Sequence, residues 1–309
     1  MKFSKILYFC AAAAAICLTS CMKNGENKTT QTLPGYLNTS FDSYGTEVAY
    51  CNGVGYTIDL NYDDMKADVT IEGLSVNGQK FTSMTFKDIS WKKNSMGWQV
   101  IEAMNVTPVS QLPAPTFDNI SLWIYQRYIG SQYMPFVRMS YSIGGQYIVS
   151  MPTALINGGT TTVTAPGQPD YVQDPDKINA EDQTYYIFTF DPAKSVAELS
   201  IAGAKFNDRM PAMNMRFKNI PYQVTKDGLY KLSISSIPEP VVVGSDGTET
   251  PNPSYPITDF YCSTDACNNM TLNFTCTVSM RPQGASEAVT IPYHVNVVCK
   301  GPDFVKEYN

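Results

Sequence analysis

Two stretches of the chain, residues 56–78 (YTIDLNYDDMKADVTIEGLSVNG) and residues 186–208 (YIFTFDPAKSVAELSIAGAKFND), align without a gap at a constant offset of 130 positions. Five aligned positions are identical, and six others exchange similar residues. Internal similarity at a fixed spacing is the signature of a repeated structural unit. Chance similarity between two β segments is the alternative, and the near-constant spacing argues against it.

The repeated stretch carries the pattern of β-structure. Tyr56, Ile58 and Leu60 alternate with polar residues, which is the period of a half-buried strand. The strand breaks at Asn61 in the first copy and at Asp191 in the second, and both residue types are able to cap a short helical turn. Residues 77–78, Asn-Gly, then predict a tight hairpin.

The similarity resumes after one inserted residue. Residues 84–91 (MTFKDISW) align with residues 215–222 (MRFKNIPY) at an offset of 131, with four identities. Short alternating runs continue to the end of the chain, without an amphipathic helix of useful length. We therefore predict an all-β fold of two tandem, similar domains. A β-sandwich is the first choice, and a closed, calycin-like β-barrel is the alternative.

Composition sets the expected boundaries between these parts. We predict a signal peptide at 1–20, a polar tether at 21–44, a first β domain at 45–156, a linker at 157–182, a second β domain at 183–303 and a tail at 304–309. The tether has few apolar residues, and the linker is rich in Gly, Pro, Thr and Asp. With 43% apolar and 16% charged residues, the chain is able to bury a core.

The N-terminus has the features of an export signal. Lys2 and Lys5 precede an apolar run at 6–18, which is too short to cross a bilayer core that needs about 20 residues. The sequence Leu18-Thr-Ser-Cys21 follows. It resembles the bacterial lipobox, which implies that the Cys21 thiol is lipidated and that cleavage leaves Cys21 at the new N-terminus. An ordinary secretory signal with a chance cysteine is the alternative.

A wider resemblance follows from these features. A lipobox followed by tandem β modules, each with a Met-x-Phe-Lys-Asx-Ile strand, resembles the uncharacterised cell-envelope lipoproteins of Bacteroidota. That resemblance implies a lipid anchor in the envelope, in the outer membrane, and no assigned activity. Surface lipoproteins of that phylum often carry an acidic run after the cysteine, whereas residues 22–26 (MKNGE) hold one acid. The membrane face therefore stays open.

Net charge limits the choice of partners. The full chain carries −6, and removal of the two signal-peptide lysines changes this to −8. An acidic protein without a basic run is a poor candidate for binding nucleic acid or an anionic membrane. The lipid is the only membrane anchor that the sequence predicts.

Five cysteines follow Cys21: Cys51, Cys262, Cys267, Cys276 and Cys299. An exported protein is able to form disulfides, and the close pair Cys262 and Cys267 and the strand pair Cys276 and Cys299 are the candidates. Buried free thiols are the alternative. The chain has no C-x-x-C motif and one histidine, so we predict no metal site and no cofactor.

Catalytic motifs are not evident in the sequence. A nucleophile–histidine pair would have to use His294, which lies in an alternating run and reads as a solvent-facing strand residue. Asp63 and Asp64 read as a solvated turn, because the second copy has Ala193 and Lys194 there. A pair of carboxylates that act on a glycan stays open, since separation in space is not visible in a sequence.

Aromatic residues give the only binding signal. The run from Trp123 to Tyr133 is dense in them, and the Trp123–Tyr125 part reads as a buried strand. Tyr128 and Tyr133, with Arg127, are the binding candidates, in a predicted exposed loop. We predict a non-catalytic envelope binding protein for a glycan, a protein or a small ligand. A structural or adhesive subunit resembling fimbrillin-type lipoproteins, and a glycan-acting enzyme, are the alternatives.

Overall fold

The fold is known from a computed structural model that describes residues 27–301, except residues 77, 130–131, 180–181, 281–286 and 288. The side chains of residues 126–135 and 280 are also outside the description. Cys21, the predicted signal peptide and the predicted tail at 304–309 lie outside the described residues.

Every regular element in the described part of the chain is a β-strand. The first eleven strands are β1 (Lys28–Phe41), β2 (Glu47–Asn61), β3 (Lys66–Glu72), β4 (Ser75–Val76), β5 (Gln79–Lys80), β6 (Ser83–Lys93), β7 (Gln99–Val106), β8 (Val109–Ser110), β9 (Phe117–Ile129), β10 (Gln132–Ile143) and β11 (Gln146–Pro152). The others are β12 (Ala154–Gly158), β13 (Thr160–Thr164), β14 (Tyr171–Gln173), β15 (Tyr185–Asp191), β16 (Val196–Ala204), β17 (Met213–Val224), β18 (Leu229–Ile237), β19 (Val241–Val243), β20 (Glu249–Pro251), β21 (Ile257–Asp265), β22 (Met270–Met280) and β23 (Val289–Cys299).

The first half of the chain forms a closed ring of antiparallel strands. The sheet runs β3-β2-β1-β11-β10-β9-β7-β6, and β6 pairs with β3 again. Apart from the short strands β4, β5 and β8, strands that are consecutive in the chain thus pair with each other, as in an up-and-down barrel. We call this unit, residues 28–152, barrel 1.

The second half repeats the same order. The sheet runs β12-β15-β16-β17-β18-β21-β22-β23-β13, and Gly159 alone separates β12 from β13. The two end strands are therefore consecutive in the chain, and this covalent connection, not a strand pairing, completes the ring. We call this unit, residues 154–299, barrel 2. The predicted all-β class with two tandem, similar domains is confirmed, and strand pairing follows the barrel alternative.

Backbone conformation repeats at the offsets found in the sequence. Left-handed φ angles occur at Met65 and Ser195, at Gly73 and Gly203, at Asp88 and Asn219, and at Gly97 and Gly228. The first two pairs are 130 positions apart and the last two are 131 apart. Non-glycine residues seldom adopt such angles, so their recurrence at matched positions is strong evidence for duplication.

The Met-x-Phe-Lys-Asx-Ile strand owes its pattern to a β-bulge. Met84, Phe86 and Ile89 are buried, so the alternation skips one position at Lys87-Asp88. The register between β3 and β6 shifts at this place, and β16 and β17 show the same shift. A bulge inserts one residue and turns side chains outward. Asp88 and its counterpart Asn219 therefore stand on the outer surface.

The predicted tether was wrong for residues 28–41, which form β1 between β2 and β11. Its inward positions include Gln31 and Asn38, which are buried polar residues. Asn38 accepts a hydrogen bond from the Tyr56 hydroxyl and donates one to the Tyr141 hydroxyl, each at 2.9 Å. Because two of its buried positions hold amides, the strand lacks the apolar alternation of the other strands, and its sequence resembles a polar segment.

The predicted linker at 157–182 was wrong for the same reason. Its first part belongs to β12 and β13, which pair with β15 and β23 as β1 pairs with β2 and β11. Thr161 in β13 is buried and lies 2.7 Å from the Tyr186 hydroxyl. Tyr186 is the counterpart of Tyr56, so each barrel uses the same tyrosine to hold a polar closing strand.

Thr153 joins the two barrels without a linker. Its backbone N–H and its hydroxyl donate to the Gly35 carbonyl of barrel 1, at 3.0 and 2.6 Å. Its own carbonyl accepts from the Phe190 N–H of barrel 2 at 2.8 Å. The Tyr230 hydroxyl donates to the Pro152 carbonyl at 3.1 Å. The boundary between the domains is therefore this one residue.

The predicted short helical turns at Asn61 and Asp191 are tight turns instead. The Asn61 side chain accepts from the Asp63 N–H at 3.0 Å, and the Asp191 side chain accepts from the Ala193 N–H at 3.1 Å. Such turns satisfy the same free N–H that a helix cap would. The chain then returns at once into β3 or β16, so no helix follows.

Aromatic side chains fill both barrels. In barrel 1, the rings of Phe86 and Phe117 meet edge to face at 4.8 Å, and Phe117 lies 5.3 Å from Tyr141. In barrel 2, Phe217, the counterpart of Phe86, meets Phe260 at 6.1 Å. The Phe86–Phe117 and Phe217–Phe260 contacts join strands that are not neighbours, as expected where side chains fill a small barrel. The outer surface is therefore the better place for a ligand site.

Candidate functional site

The predicted tyrosine loop is a strand hairpin. Tyr128 in β9 pairs with Tyr133 in β10, and Arg127 pairs with Met134. The loop prediction was therefore wrong at these residues, because the strands continue until only residues 130–131 separate them. Their side chains lie outside the description, and the candidate site described below consists of other residues.

Trp123 belongs to the core, as its strand pattern indicates. It is buried on β9, a strand with neighbours on both sides, and its ring contacts Trp98 edge to face at 5.9 Å. The indole N–H donates to the Ser121 hydroxyl at 3.1 Å. This residue therefore does not provide an exposed binding platform.

The cysteines after Cys21 are free thiols, which contradicts both predicted disulfides. Cys276 pairs with Tyr293 in the register of β22 and β23, whereas Cys299 lies six residues further along, about 20 Å away at the rise of a strand. Strand β21 continues for three residues beyond Cys262, about 10 Å, before the turn that holds Cys267.

Burial also makes these thiols poor nucleophiles. It raises the pKa of Cys276 to about 12. Burial and the neighbouring Cys299 raise the pKa of Cys262, and burial followed by the nearby Asp265 raises that of Cys267. The thiolate is the reactive form of cysteine, and it is scarce in such surroundings.

We expect alkylation of a protein that consists of residues 22–309 to modify five free thiols. In the folded protein, the buried Cys262, Cys267, Cys276 and Cys299 should react slowly, and the partly exposed Cys51 should react first. In denaturant, all five should be modified whether or not a reductant is added. Mass spectrometry counts the added groups, and two fewer without reductant would demonstrate a disulfide.

His294 lies on the outer face of β23. It is exposed, and its Nδ1 lies 2.9 Å from the Thr275 hydroxyl on the neighbouring strand. Among residues 27–301 that the structure describes, no group of three or more His, Cys, Asp or Glu side chains is arranged to hold a metal ion.

A polar groove on the outer wall of barrel 1 is the best candidate site. Its volume is about 320 Å³, which is at the lower end of the size range of ligand sites. We call it the Asp59 groove. Its lining residues are Lys28, Thr30, Asp59, Leu60, Asn61, Asp64, Lys66, Ala67, Asp68 and Asp88.

The strand register assembles the floor of the groove. Thr30, Asp59 and Asp68 lie side by side across β1, β2 and β3. Asp59 alternates with the buried Ile58 and Leu60, so it points away from the barrel interior. The bulge adds Asp88 from β6, and the turn after β2 adds Asp64.

Ion pairing holds one part of the groove in place. The Asp68 carboxylate accepts from the Lys87 ammonium at 2.7 Å and from the Asp88 N–H at 2.9 Å. Partial burial acts to raise the pKa of Asp68, but these hydrogen bonds and the Lys87 charge outweigh it and hold the pKa below its ordinary value. Asp68 is therefore ionised at neutral pH and is an acceptor for a ligand, not a proton donor.

Barrel 2 has a different surface at the matching positions. Thr189, Lys194, Glu198 and Asn219 stand where the groove has Asp59, Asp64, Asp68 and Asp88. The one remaining acid, Glu198, lies 3.1 Å from Arg216 Nε. Glu249 from the β19–β20 hairpin pairs with Arg216 and with Lys218. The barrel therefore folds without the four carboxylates of the groove.

A second crevice lies where the barrels meet, and it is much smaller, at about 20 Å³. Its charged residues include Arg138 and Asp265. Asp265 accepts from the N–H groups of Cys267 and Asn269, at 2.7 and 2.9 Å, and so fixes the conformation of the turn at 265–269. We assign this crevice to the junction between the domains.

No protein-family model matches the chain, and no curated protein matches it. Within the described ranges, the structure has no helix that is long and apolar enough to cross a membrane.

The groove residues could not be selected from the sequence, because four separate strands contribute to it. One signal was present, however. Lys87-Asp88 interrupts the spacing between the apolar Phe86 and Ile89, and such an interruption is typical of a bulge that presents a side chain at the surface.

Proposed function

We propose that this protein is a lipid-anchored protein of the cell envelope that binds a glycan in the Asp59 groove without transforming it. The lipobox-like sequence at Cys21 supports the anchor. The observation that carries the binding proposal is the contrast between the barrels: four carboxylates line one surface, and the duplicated unit folds with one acid there. Residues that the fold does not need are available for recognition.

The chemistry of the lining supports a hydroxyl-rich ligand. Carboxylates accept hydrogen bonds from sugar hydroxyls, while the Lys28 and Lys66 ammonium groups and the Asn61 amide are able to donate. The Thr30 hydroxyl already donates to the Asp59 carboxylate and so orients it. With four acids and two lysines, the lining carries a net −2, which disfavours anionic ligands such as phosphates.

Several features support binding in place of catalysis. The thiols of Cys262, Cys267 and Cys276 are buried and have raised pKa values, and His294 has no acidic neighbour in the described contacts. Asp68, with its lowered pKa, is unsuited to the role of general acid, which needs a raised one.

A polymer-forming subunit receives less support. Assembly by strand addition needs an open sheet edge. In the described part of the chain, strand pairing closes the sheet of barrel 1, and Gly159 joins β12 to β13 in barrel 2. The strands at the margins, β8, β14 and β20, have two or three residues each.

Substitution of Asp59 tests the site. We expect Asp59→Ala to weaken glycan binding by roughly 10- to 100-fold, since a hydrogen bond to a charged group contributes about 1.5–3 kcal/mol. Its matched control is Thr189→Ala in barrel 2, which is also exposed and lies opposite Glu198 as Asp59 lies opposite Asp68. A glycan array on the soluble form of residues 22–309 identifies the ligand, and calorimetry compares the variants.

Equal affinity in the wild type and Asp59→Ala would place the ligand elsewhere on the molecule. Turnover of the bound glycan, lost on substitution of a groove carboxylate, would replace the binding proposal with an enzymatic one. Both variants should melt close to the wild type, because exposed substitutions of this kind change stability by about 0.5 kcal/mol or less.

A further inference from the structure

The described chain starts at one defined end of barrel 1. The Asn27 carbonyl accepts from the Tyr62 N–H at 2.9 Å, and the Asn27 side chain donates to the Asp63 carboxylate at 3.3 Å. The N-terminal segment therefore leaves the barrel beside the turn between β2 and β3.

The turn between β6 and β7 lies at the same end. The Trp91 N–H donates to the Met65 carbonyl at 2.9 Å, and the rings of Trp91 and Tyr62 meet edge to face at 5.1 Å. We call the two turns, residues 62–65 and 94–97, the lower rim.

The length of the N-terminal segment limits the distance from this rim to the lipid. Five residues, 22–26, separate Cys21 from Asn27. Six Cα-to-Cα steps reach at most about 20 Å when the chain is fully extended. A lipid on Cys21 therefore keeps the lower rim within that distance of the bilayer.

We propose that the lower rim rests on the bilayer surface, an inference that depends on the proposed lipid anchor. Met65 and Met96 occupy the two turns and are 36% and 58% exposed. Lys92 and Lys93 lie beside them and are exposed, with the Lys93 ammonium 6.0 Å from the centre of the Tyr62 ring. The first turn also holds two exposed acidic residues, so the contact is assigned to the apolar tips and not to charge. Exposed apolar tips beside long lysine side chains suit an interface between headgroups and acyl chains.

The position of the rim also bears on the ligand. Asn61, Asp64 and Lys66 line the Asp59 groove and lie at the same end of barrel 1. The groove then opens close to the headgroup layer. Glycans carried on membrane lipids therefore fit this arrangement better than glycans held far from the membrane.

The chain offers a matched pair of reporter positions. Tyr44 and Met96 occupy the same place in two turns of one type, where Asp42 accepts from the N–H groups of Tyr44 and Thr46, and Asn94 from those of Met96 and Trp98. Tyr44 lies at the opposite end of barrel 1, between β1 and β2, and is 93% exposed.

Fluorescence quenching distinguishes the two ends. Lipidated Met96→Trp and Tyr44→Trp proteins are placed in phosphatidylethanolamine–phosphatidylglycerol vesicles with lipids brominated near the headgroup. The three native tryptophans are buried and supply a common background. We expect Met96→Trp to lose most of its added emission and Tyr44→Trp to keep it.

Each other outcome has a defined meaning. Strong quenching of Tyr44→Trp, or none of Met96→Trp, in a protein shown by mass to carry the lipid would overturn the rim inference and leave the anchor intact. A wild-type protein without an acyl group that does not sediment with vesicles would overturn the anchor and the rim inference together.

Discussion

Replacement of Cys21 by serine is expected to transfer the protein from the membrane fraction to the soluble fraction. A serine hydroxyl does not form the thioether that carries diacylglycerol, and the apolar run at 6–18 is too short to span a bilayer. Stable attachment needs two or more acyl chains, so loss of the lipid should release nearly all of the protein. Fractionation with immunodetection measures the change, and labelling with a fatty acid measures the lipid.

Cys17→Ser is the matched control for this experiment. Cys17 lies four residues upstream, inside the apolar run, and should be removed with the signal peptide. This variant should keep both its label and its membrane location. A Cys21→Ser protein that is still labelled and still sediments with membranes would show that another residue carries the lipid.

The second large effect is expected at Gly159, where β12 passes into β13. A Cβ at this position would lie 2.5 Å from both the Cys299 sulfur and the Val298 carbonyl oxygen, and 2.8 Å from Cys299 Cα. Two of these atoms belong to the backbone of β23, which has little freedom to move. Gly159→Ala should therefore separate β13 from β23 and open the ring of barrel 2.

We expect a loss of about 1–3 kcal/mol of unfolding free energy or more, the usual cost of overpacking a core. The neighbouring Gly158→Ala is the control, because its Cβ would meet only the Tyr185 ring at ordinary contact distances of 3.6 and 3.7 Å. Urea denaturation followed by tyrosine and tryptophan fluorescence compares the two. Equal losses in both variants would show that the junction adjusts and that Gly159 is not needed for closure.

The duplicated sequence was sufficient to predict the fold class, because its apolar residues follow the strand period. The alternation at Tyr56, Ile58 and Leu60 recurs at Tyr186, Phe188 and Phe190, and all six side chains are buried. Such a pattern defines strands and their order of pairing along the chain. It does not define whether the ends of the sheet meet, so sandwich and barrel were not distinguished.

The closing strands were missed because polar residues occupy several of their buried positions, which interrupts the apolar alternation. Asn38 in β1 and Thr161 in β13 point inward and are satisfied by the hydroxyls of Tyr56 and Tyr186. A strand that is stabilised by buried hydrogen bonds does not show regular apolar alternation, so this pattern does not reveal it. The same two segments were therefore interpreted as tether and linker.

The candidate site could not be predicted from the sequence for a different reason. Asp59, Asp64, Asp68 and Asp88 look like ordinary surface residues one at a time, and only the register and the bulge bring them together. Trp123 lies in the core, as its strand pattern predicts, and the side chains of the candidates Tyr128 and Tyr133 lie outside the described residues. Density of aromatic residues in a sequence does not separate a buried strand from a binding surface.

The intact mass of the protein extracted from membranes tests the central claim, the lipid anchor, most directly. The account predicts a chain that starts at Cys21, has 289 residues after loss of the first 20 of 309, and carries a diacylglycerol group together with a further acyl chain. A mass equal to the complete unmodified chain, or to a processed chain with an unmodified Cys21, would contradict it.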